Sequence, residues 1–279
     1  MNRRQKTEDG RQKPRGFVND RSSAIRHPSS AAGDWWRTYF DTGYLREYEP
    51  FFELVDDRRQ VARLLEVLAL PVGARVLDCA CGQGRHAHLL AEAGMDVDGV
   101  DFSAPLLAKA RARGTARALR YRRADMRRMP AGWTGRFDAV VNLFTSFGFF
   151  ADPRDDARVM REFARVVKPG GLVLWHGGDR DGVMAKFLPR DWWTTADGTL
   201  VAQERSFDPL SGFMTVESSW RGPKVHEDRT HKIRLYTPTQ MADLMRGAGL
   251  IVEQAFDSFS DTPLSRRSSE MLLLARKDG

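Results

Sequence analysis

The chain has 279 residues, 42% of them hydrophobic, with 44 Lys and Arg against 37 Asp and Glu and a net charge of +7. That hydrophobic share excludes a wholly disordered chain, and no run of about 18 apolar residues exists to span a bilayer as a helix. Two cysteines one residue apart, Cys79 and Cys81, exclude a disulfide framework and point to a reducing, cytoplasmic setting.

Residues 1–33 read as a disordered basic tail. Up to residue 30, eight Lys and Arg oppose Glu8, Asp9 and Asp20, a net +5 without apolar periodicity. Residues 34–70 read as an aromatic and helical cap. Trp35, Trp36, Tyr39, Phe40, Tyr44, Tyr48, Phe51 and Phe52 crowd its first half, either as packing or as a cover over a ligand cleft. Asp57 then opens a helix with Val61, Leu64, Leu65 and Leu68 at helical spacing, and Pro71 with Gly73 stops it.

From residue 71 to 279 the chain reads as one α/β domain. Strands are expected at Val76–Leu77, Val97–Phe102, Leu119–Met126, Phe137–Phe144 and Leu172–His176, with helices between them. Ser103 and the Asp152-Pro153 pair are start signals for two of those helices. This alternation implies right-handed crossovers and a doubly wound, Rossmann-like parallel sheet. Period-two segments after the fifth strand, around the turn at 208–212, form a small antiparallel insert over about residues 190–236, with Trp192-Trp193 in the loop before it. A helix from Thr237-Pro238 and two strands, Leu250–Phe259 and Glu270–Arg276, close the chain.

The first strand runs into Asp78-Cys79-Ala80-Cys81-Gly82-Gln83-Gly84-Arg85-His86. Glycines at the start of a helix let backbone approach a ligand where an open α/β sheet binds its cofactor. Asp101 stands 19 residues after Gly82 at the tip of the second strand, where a carboxylate accepts ribose hydroxyls. Gly82-x-Gly84-x-x-Ala87 also satisfies a dinucleotide fingerprint, so spacing alone leaves an NAD-dependent oxidoreductase open. Asp78 before the glycines, Asp125-Met126 at the end of the third strand and the terminal strand pair weigh against it.

On these residues the sequence resembles the class I S-adenosylmethionine-dependent methyltransferases over about residues 71–277, and within them the bacterial small-molecule type. The Asn142-Leu143-Phe144-Thr145-Ser146-Phe147-Gly148-Phe149-Phe150 and Arg234-Leu235-Tyr236-Thr237-Pro238 segments carry the second likeness. The resemblance implies a seven-stranded sheet of order 3-2-1-4-5-7-6, with strand seven antiparallel, and S-adenosyl-L-methionine as cofactor. It implies a cofactor site of Asp78, Ala80, Cys81, Gly82 and Gly84 for the methionine part, Asp101 and Phe102 for the ribose side, and Asp125 with Met126 for adenine. Asn142 completes that set, and Ala80 stands where the family has its first glycine. Tyr44, Phe147 and Arg234 are the expected substrate-lining residues, the segment to Phe150 closes over the methyl group, and His176 or Tyr236 is the expected proton acceptor.

The implied reaction is methyl transfer to an oxygen or nitrogen of a small molecule, without a membrane partner. RNA is the alternative acceptor, through the tail and the 109–128 stretch, where nine basic residues oppose Asp125. That stretch reads more simply as a solvated helix and an edge strand, which disfavours nucleic acid. Cys79, Cys81, His86 and His88 superficially offer metal ligands, but they divide between a strand end and a helix start, so no metal is expected. The oligomeric state stays open.

Overall fold

The structure, a computed structural model, describes residues 34–48, 52, 54–114, 118–195 and 197–279. The basic tail expected over residues 1–33 lies outside the described residues, as does Phe51. Two short helices, α1 (Trp36–Tyr39) and α2 (Thr42–Tyr48), precede α3 (Leu54–Leu68), whose Val61, Leu64 and Leu68 are buried at helical spacing. An alternating run follows: β1 (Arg75–Cys79), α4 (Arg85–Glu92), β2 (Asp96–Asp101), α5 (Ala104–Ala112), β3 (Leu119–Arg123), β4 (Phe137–Asn142), α6 (Pro153–Val166), β5 (Val167–Gly178) and α7 (Arg180–Ala185). Four antiparallel strands come next, β6 (Arg190–Thr194), β7 (Leu200–Asp208), β8 (Phe213–Gly222) and β9 (Val225–Arg234). The chain closes with α8 (Pro238–Arg246), β10 (Leu250–Phe256) and β11 (Glu270–Lys277). No helix among the described residues is long and apolar enough to cross a membrane.

The larger sheet has the order β3-β2-β1-β4-β5-β11-β10. Strands β1 to β5 pair in parallel, while β11 is antiparallel to both β5 and β10, which is the expected order with its seventh strand reversed. The central strands β1, β2 and β4 are buried on both faces, and helices cover the sheet on each side. One core cluster joins Leu77, Val140, Phe163, Trp175 and Leu273; the other joins Leu64, Val76, Leu90, Val141 and Leu274. Local capping sets the helix starts. Asp152 accepts from Arg154 N–H with Pro153 at the first turn, Ser103 accepts from Leu106 N–H, and Thr237 with Gln240 forms a capping box.

Several boundaries depart from expectation: β3 ends at Arg123, β4 at Asn142 and β10 at Phe256, each two or three residues short, so Asp125-Met126 and Phe144 lie beyond their strands. Strand β5 begins at Val167, directly after α6, because Val167 pairs with Phe137 ahead of a register irregularity that precedes Leu172. Trp192 and Trp193 lie on strand β6 rather than in a loop; β6 is an edge strand, its pattern dominated by exposed Arg190, Asp191 and Trp192. Edge strands lack the buried alternation that would mark them in sequence.

Buried polar contacts pin the cap and the insert together. Arg229 on β9 donates to the Tyr39 carbonyl (2.5 Å) and to Asp41 (2.9 Å). Glu47 on α2 accepts from Tyr39 Oη (3.1 Å), Gln203 (3.3 Å) and Ser218 (3.4 Å). Ser103, at the head of α5, donates to the Phe40 carbonyl (2.5 Å). The end of β9 is knotted to α6: fully buried Asp156 accepts from Arg234 (2.5 Å) and from Tyr236 Oη (2.7 Å). Arg234 also donates to the carbonyls of Phe150 and Ala151, and its backbone N–H donates to Gly148. A Cβ on Gly148 would lie 2.5 Å from the Arg234 carbonyl oxygen, so only glycine permits this approach. Replacing Asp156 by Ala strands a buried guanidinium, and chemical denaturation should show a loss of about 3–5 kcal/mol; an unchanged midpoint would refute the knot's importance.

Candidate active site

The site grows from the end of β1. After Cys79 the backbone turns left-handed at Ala80 (φ 60°), then passes Gly82 and Gly84 into α4. Gly84 has no room for a side chain, since a Cβ would lie 2.3 Å from Tyr121 Oη. The parallel register pairs Asp78 with Gly99, so the loop after β1 lies beside Asp101 at the end of β2. Asp101 fixes that loop: Oδ2 accepts from Gly82 N–H (2.8 Å) and Oδ1 from Ser103 N–H (2.7 Å).

Two adjoining chambers open above this loop. The larger, about 630 Å³, is walled by Trp36, Phe40, Phe102, Leu106, Met126, Phe149 and Phe150, with Asp101 and Asp125 at its polar positions. The smaller, about 470 Å³, is lined by Asp78, Cys81, Gln83, Arg85, His86 and Phe144. Tyr44, Ala80, Gly82 and Ser146 line both. One chamber therefore suits a flat aromatic group, the other a polar one, and the two meet over the glycine loop.

The electrostatics sharpen that division. Asp78 is pushed up to about 7, first by burial and then by the charge of Asp101, against the N–H of Ala87. Asp101 is also raised by burial, with the N–H groups of Ser103 and Gly82 opposing. Gln83 is buried, and neither its amide oxygen nor its nitrogen has a partner. A buried amide lacking partners beside a nearly neutral carboxyl fits a ligand end bearing both an ammonium and a carboxylate. Arg85, ion-paired with Asp57 of α3, adds a cation to the same chamber. Asp125 is held below the usual carboxylate range by Arg127, whose guanidinium lies 4.4 Å from the Phe150 ring centroid and 5.1 Å from that of Trp36.

Several expected residues take other places. Asn142 is fully buried and donates to the Cys79 carbonyl (3.0 Å), bracing β4 against β1 behind the chambers. Phe147 is buried against Trp175 and Tyr236 and lines neither chamber. Arg234 and Tyr236 do share a partner, but it is Asp156, away from both chambers. His176 is buried: its Nδ1 accepts from Phe144 N–H (3.2 Å) and its carbonyl from Thr145 N–H (3.2 Å). With Nδ1 accepting, the ring proton sits on Nε2, 3.2 Å from Ser258 Oγ. Phe144 and Thr145 are both left-handed (φ 55° and 57°), so His176 holds a strained segment from behind the polar chamber.

Trp36, Phe40, Phe149 and Phe150 belong to the two aromatic segments expected over the cleft, and they line the larger chamber. Ser146 and Gln83 enter without a distinct signal in the sequence, as ordinary polar residues. The thiols of Cys79 and Cys81 are pushed well up by burial. His86 contacts Gln60 (2.9 Å) and His88 contacts Glu92 (3.2 Å); no cluster of three or more metal-ligating side chains occurs among the described residues.

Comparison with known proteins gives a consistent picture. The family model described as a methyltransferase domain matches residues 76–171. A putative methyltransferase, YqeM of Bacillus subtilis, is 28% identical over 75% of this chain and 86% of its own length. The dTDP-3-amino-3,4,6-trideoxy-alpha-D-glucopyranose N,N-dimethyltransferase of Streptomyces venezuelae is 30% identical over 66% of this chain and 78% of its own length. The fold is shared with a crystal structure of an S-adenosylmethionine-dependent methyltransferase from Clostridium acetobutylicum, at a TM-score of 0.72 and 16% identity over 85% of this chain and 99% of that one.

Two outcomes test the electrostatics of the loop. Between pH 5 and 7 the unfolded chain releases a proton that folded Asp78 retains, so the group lowers stability as pH rises through that window. Asp78→Asn should remove about 2 kcal/mol of that fall, read as denaturation midpoints at the two pH values; parallel pH curves for the two proteins would contradict it. Ala80→Gly relieves a left-handed alanine and should raise stability by about 1 kcal/mol; a lower melting temperature would count against strain at this position.

Proposed function

This chain belongs to the class I S-adenosylmethionine-dependent methyltransferases, and on that premise we propose that its two-chambered cleft serves methyl transfer to a nitrogen of a small molecule. The observation that carries this reading is the meeting of an aromatic chamber and a polar chamber at Tyr44, Ala80, Gly82 and Ser146. S-Adenosylmethionine, when bound, supplies a methyl carbon whose bond to a cationic sulfur breaks as a bond to the acceptor forms. Phe102, Leu106 and Met126 would hold its adenine, with Asp125 at the amino group and Asp101 at the ribose. Asp78, Gln83 and Arg85 would take the ammonium and carboxylate of its methionine end.

What remains for the chain's own residues is alignment and water exclusion. Tyr44 and Ser146 flank the junction of the chambers, and Phe40, Phe149 and Phe150 shield it. Burial pushes Tyr44 up to about 12, so its hydroxyl is no base for a hydroxyl acceptor near neutral pH. An amine that reacts from its neutral form, its ammonium proton already given to water, offers a lone pair without a protein base. We read His176 as a positioning residue for Phe144 and Thr145, and Tyr236 and Arg234 as anchors of the 148–151 segment. The dimethyltransferase activity named for the Streptomyces venezuelae relative also favours nitrogen.

The basic 109–128 stretch gives little support to an RNA acceptor. Arg120 pairs with Asp96 (2.6 Å) and Asp98 (3.1 Å), Arg127 with Asp125 and Asp155 (both 2.7 Å), and Arg123 donates to the Phe102 carbonyl. These cations are engaged within the fold, and we place the enzyme among cytoplasmic small-molecule methyltransferases.

Calorimetry with S-adenosylhomocysteine tests the cofactor assignment: Asp101→Asn should weaken binding by about 10- to 150-fold, the range for hydrogen bonds to a charged group. Equal affinity of variant and wild type would sink it. Transfer of labelled methyl from the cofactor to amines, and not to matched alcohols, tests the choice of nitrogen.

A further inference from the structure

The acceptor side of the cleft has a charge pattern of its own. Phe40, Tyr44 and Phe149 line the aromatic chamber, with Phe40 centred 5.1 Å from Tyr44 and 5.3 Å from Phe149. Trp35 backs Phe40 and Phe149, and the Tyr39 ring packs on Trp35, Phe40 and Tyr44. The Tyr39 hydroxyl reaches Glu47, which is 2% exposed and accepts three hydrogen bonds. His231, 2.8 Å from the Tyr39 hydroxyl, is pushed down to about 4 by burial and by Arg229 and Arg205, so its ring is neutral at physiological pH.

The guanidiniums at the chamber walls have partners: Arg37 over Trp36 pairs with Asp34, Arg127 over Phe150 with Asp125 and Asp155, Arg85 with Asp57, and Arg123 over Phe102 donates to the Phe102 carbonyl. Arg229 and Arg46 face three carboxylates, Asp41, Glu47 and Glu227. Arg205 lies 3.8 Å from Asp191, and Arg234 is paired with Asp156. A phosphate or diphosphate group needs cations that can turn toward it. Ring faces and the carboxylates of Asp101 and Asp125 line the aromatic chamber, and behind it the Tyr39 hydroxyl meets Glu47 and the neutral ring of His231.

From this geometry we infer that the acceptor is an amine free of phosphate groups, seated against the faces of Phe40, Tyr44 and Phe149 with buried Glu47 behind them. The inference rests on the methyltransferase reading of the cleft. Transfer moves positive charge from sulfur to the acceptor: the nitrogen lone pair bonds to the methyl carbon, the carbon–sulfur electron pair leaves with sulfur, and the surplus N–H proton leaves to water. Aromatic faces and a buried carboxylate near the nitrogen favour the charge where it arrives, more than where it starts. This separates the chain from the Streptomyces venezuelae relative, whose name specifies a dTDP-linked sugar.

The full chain should first be saturated with S-adenosylhomocysteine, then titrated in separate experiments with benzyltrimethylammonium and with dTDP. The ammonium should bind the complex and dTDP should not. Glu47→Gln and, independently, Phe149→Leu should each weaken ammonium binding about tenfold, with Glu47→Gln leaving S-adenosylhomocysteine affinity within about twofold. Binding of dTDP, or ammonium affinity unmoved by both variants, would overturn the inference while leaving the cofactor reading intact. Failure to bind S-adenosylhomocysteine would instead remove the methyltransferase cleft and the inference together.

Discussion

Everything in the cleft depends on two carboxylates that the parallel register of β1 and β2 forces to the same edge of the sheet. Asp101 ties down the loop after β1 through Gly82 N–H, and the N-terminus of α5 through Ser103 N–H. Asp78 lies next to it under full burial, where two ionised carboxylates are costly together, so its proton is retained to about pH 7. A ligand bringing an ammonium to one and hydroxyls to the other relieves that repulsion.

The same economy of buried polar contacts holds the elements that cover the cleft. Neither the two short cap helices nor a four-stranded sheet with one exposed face would be stable by itself. Arg229 reaches the Tyr39 carbonyl and Asp41, Glu47 collects three donors, and Arg234 meets Asp156. Each contact fixes a register between segments far apart in the chain, where apolar packing alone would tolerate sliding. Because Ser103 grips the Phe40 carbonyl, the helix that begins beside Asp101 is tied directly to the aromatic wall.

How far a sequence reveals such a site depends on whether the cause is local. Ser103, Asp152-Pro153 and Thr237-Pro238 mark helix starts within a few residues; Asp78 and Asp101 stand out because each lies at the end of a short strand that runs into a turn, and Asp125 as the lone acid of a basic stretch. Sheet order, with its reversed strand β11, follows from the family resemblance and matches the structure. The roles of Asn142, His176, Arg234 and Tyr236 are different in kind. Each is decided by a partner 32 to 80 residues away: the Cys79 carbonyl at 63, the Phe144 N–H at 32, and Asp156 at 78 and 80. Residues two apart on an extended chain share a side, as Arg234 and Tyr236 do in meeting Asp156, yet their spacing carries no information about what lies opposite.

Net charge shows the same limit. A chain of +7 invites an anionic partner, but charge acts through the cations that remain available. Arg120, Arg127, Arg229 and Arg234 are each matched to carboxylates within the fold, while Asp78, Asp101 and Asp125 line the cleft. The interior of the site is consequently acidic and aromatic in a basic protein. For a reaction that moves a methyl group off a cationic sulfur, that local field matters more than the sign of the whole molecule, because it acts where solvent is excluded and screening is weakest.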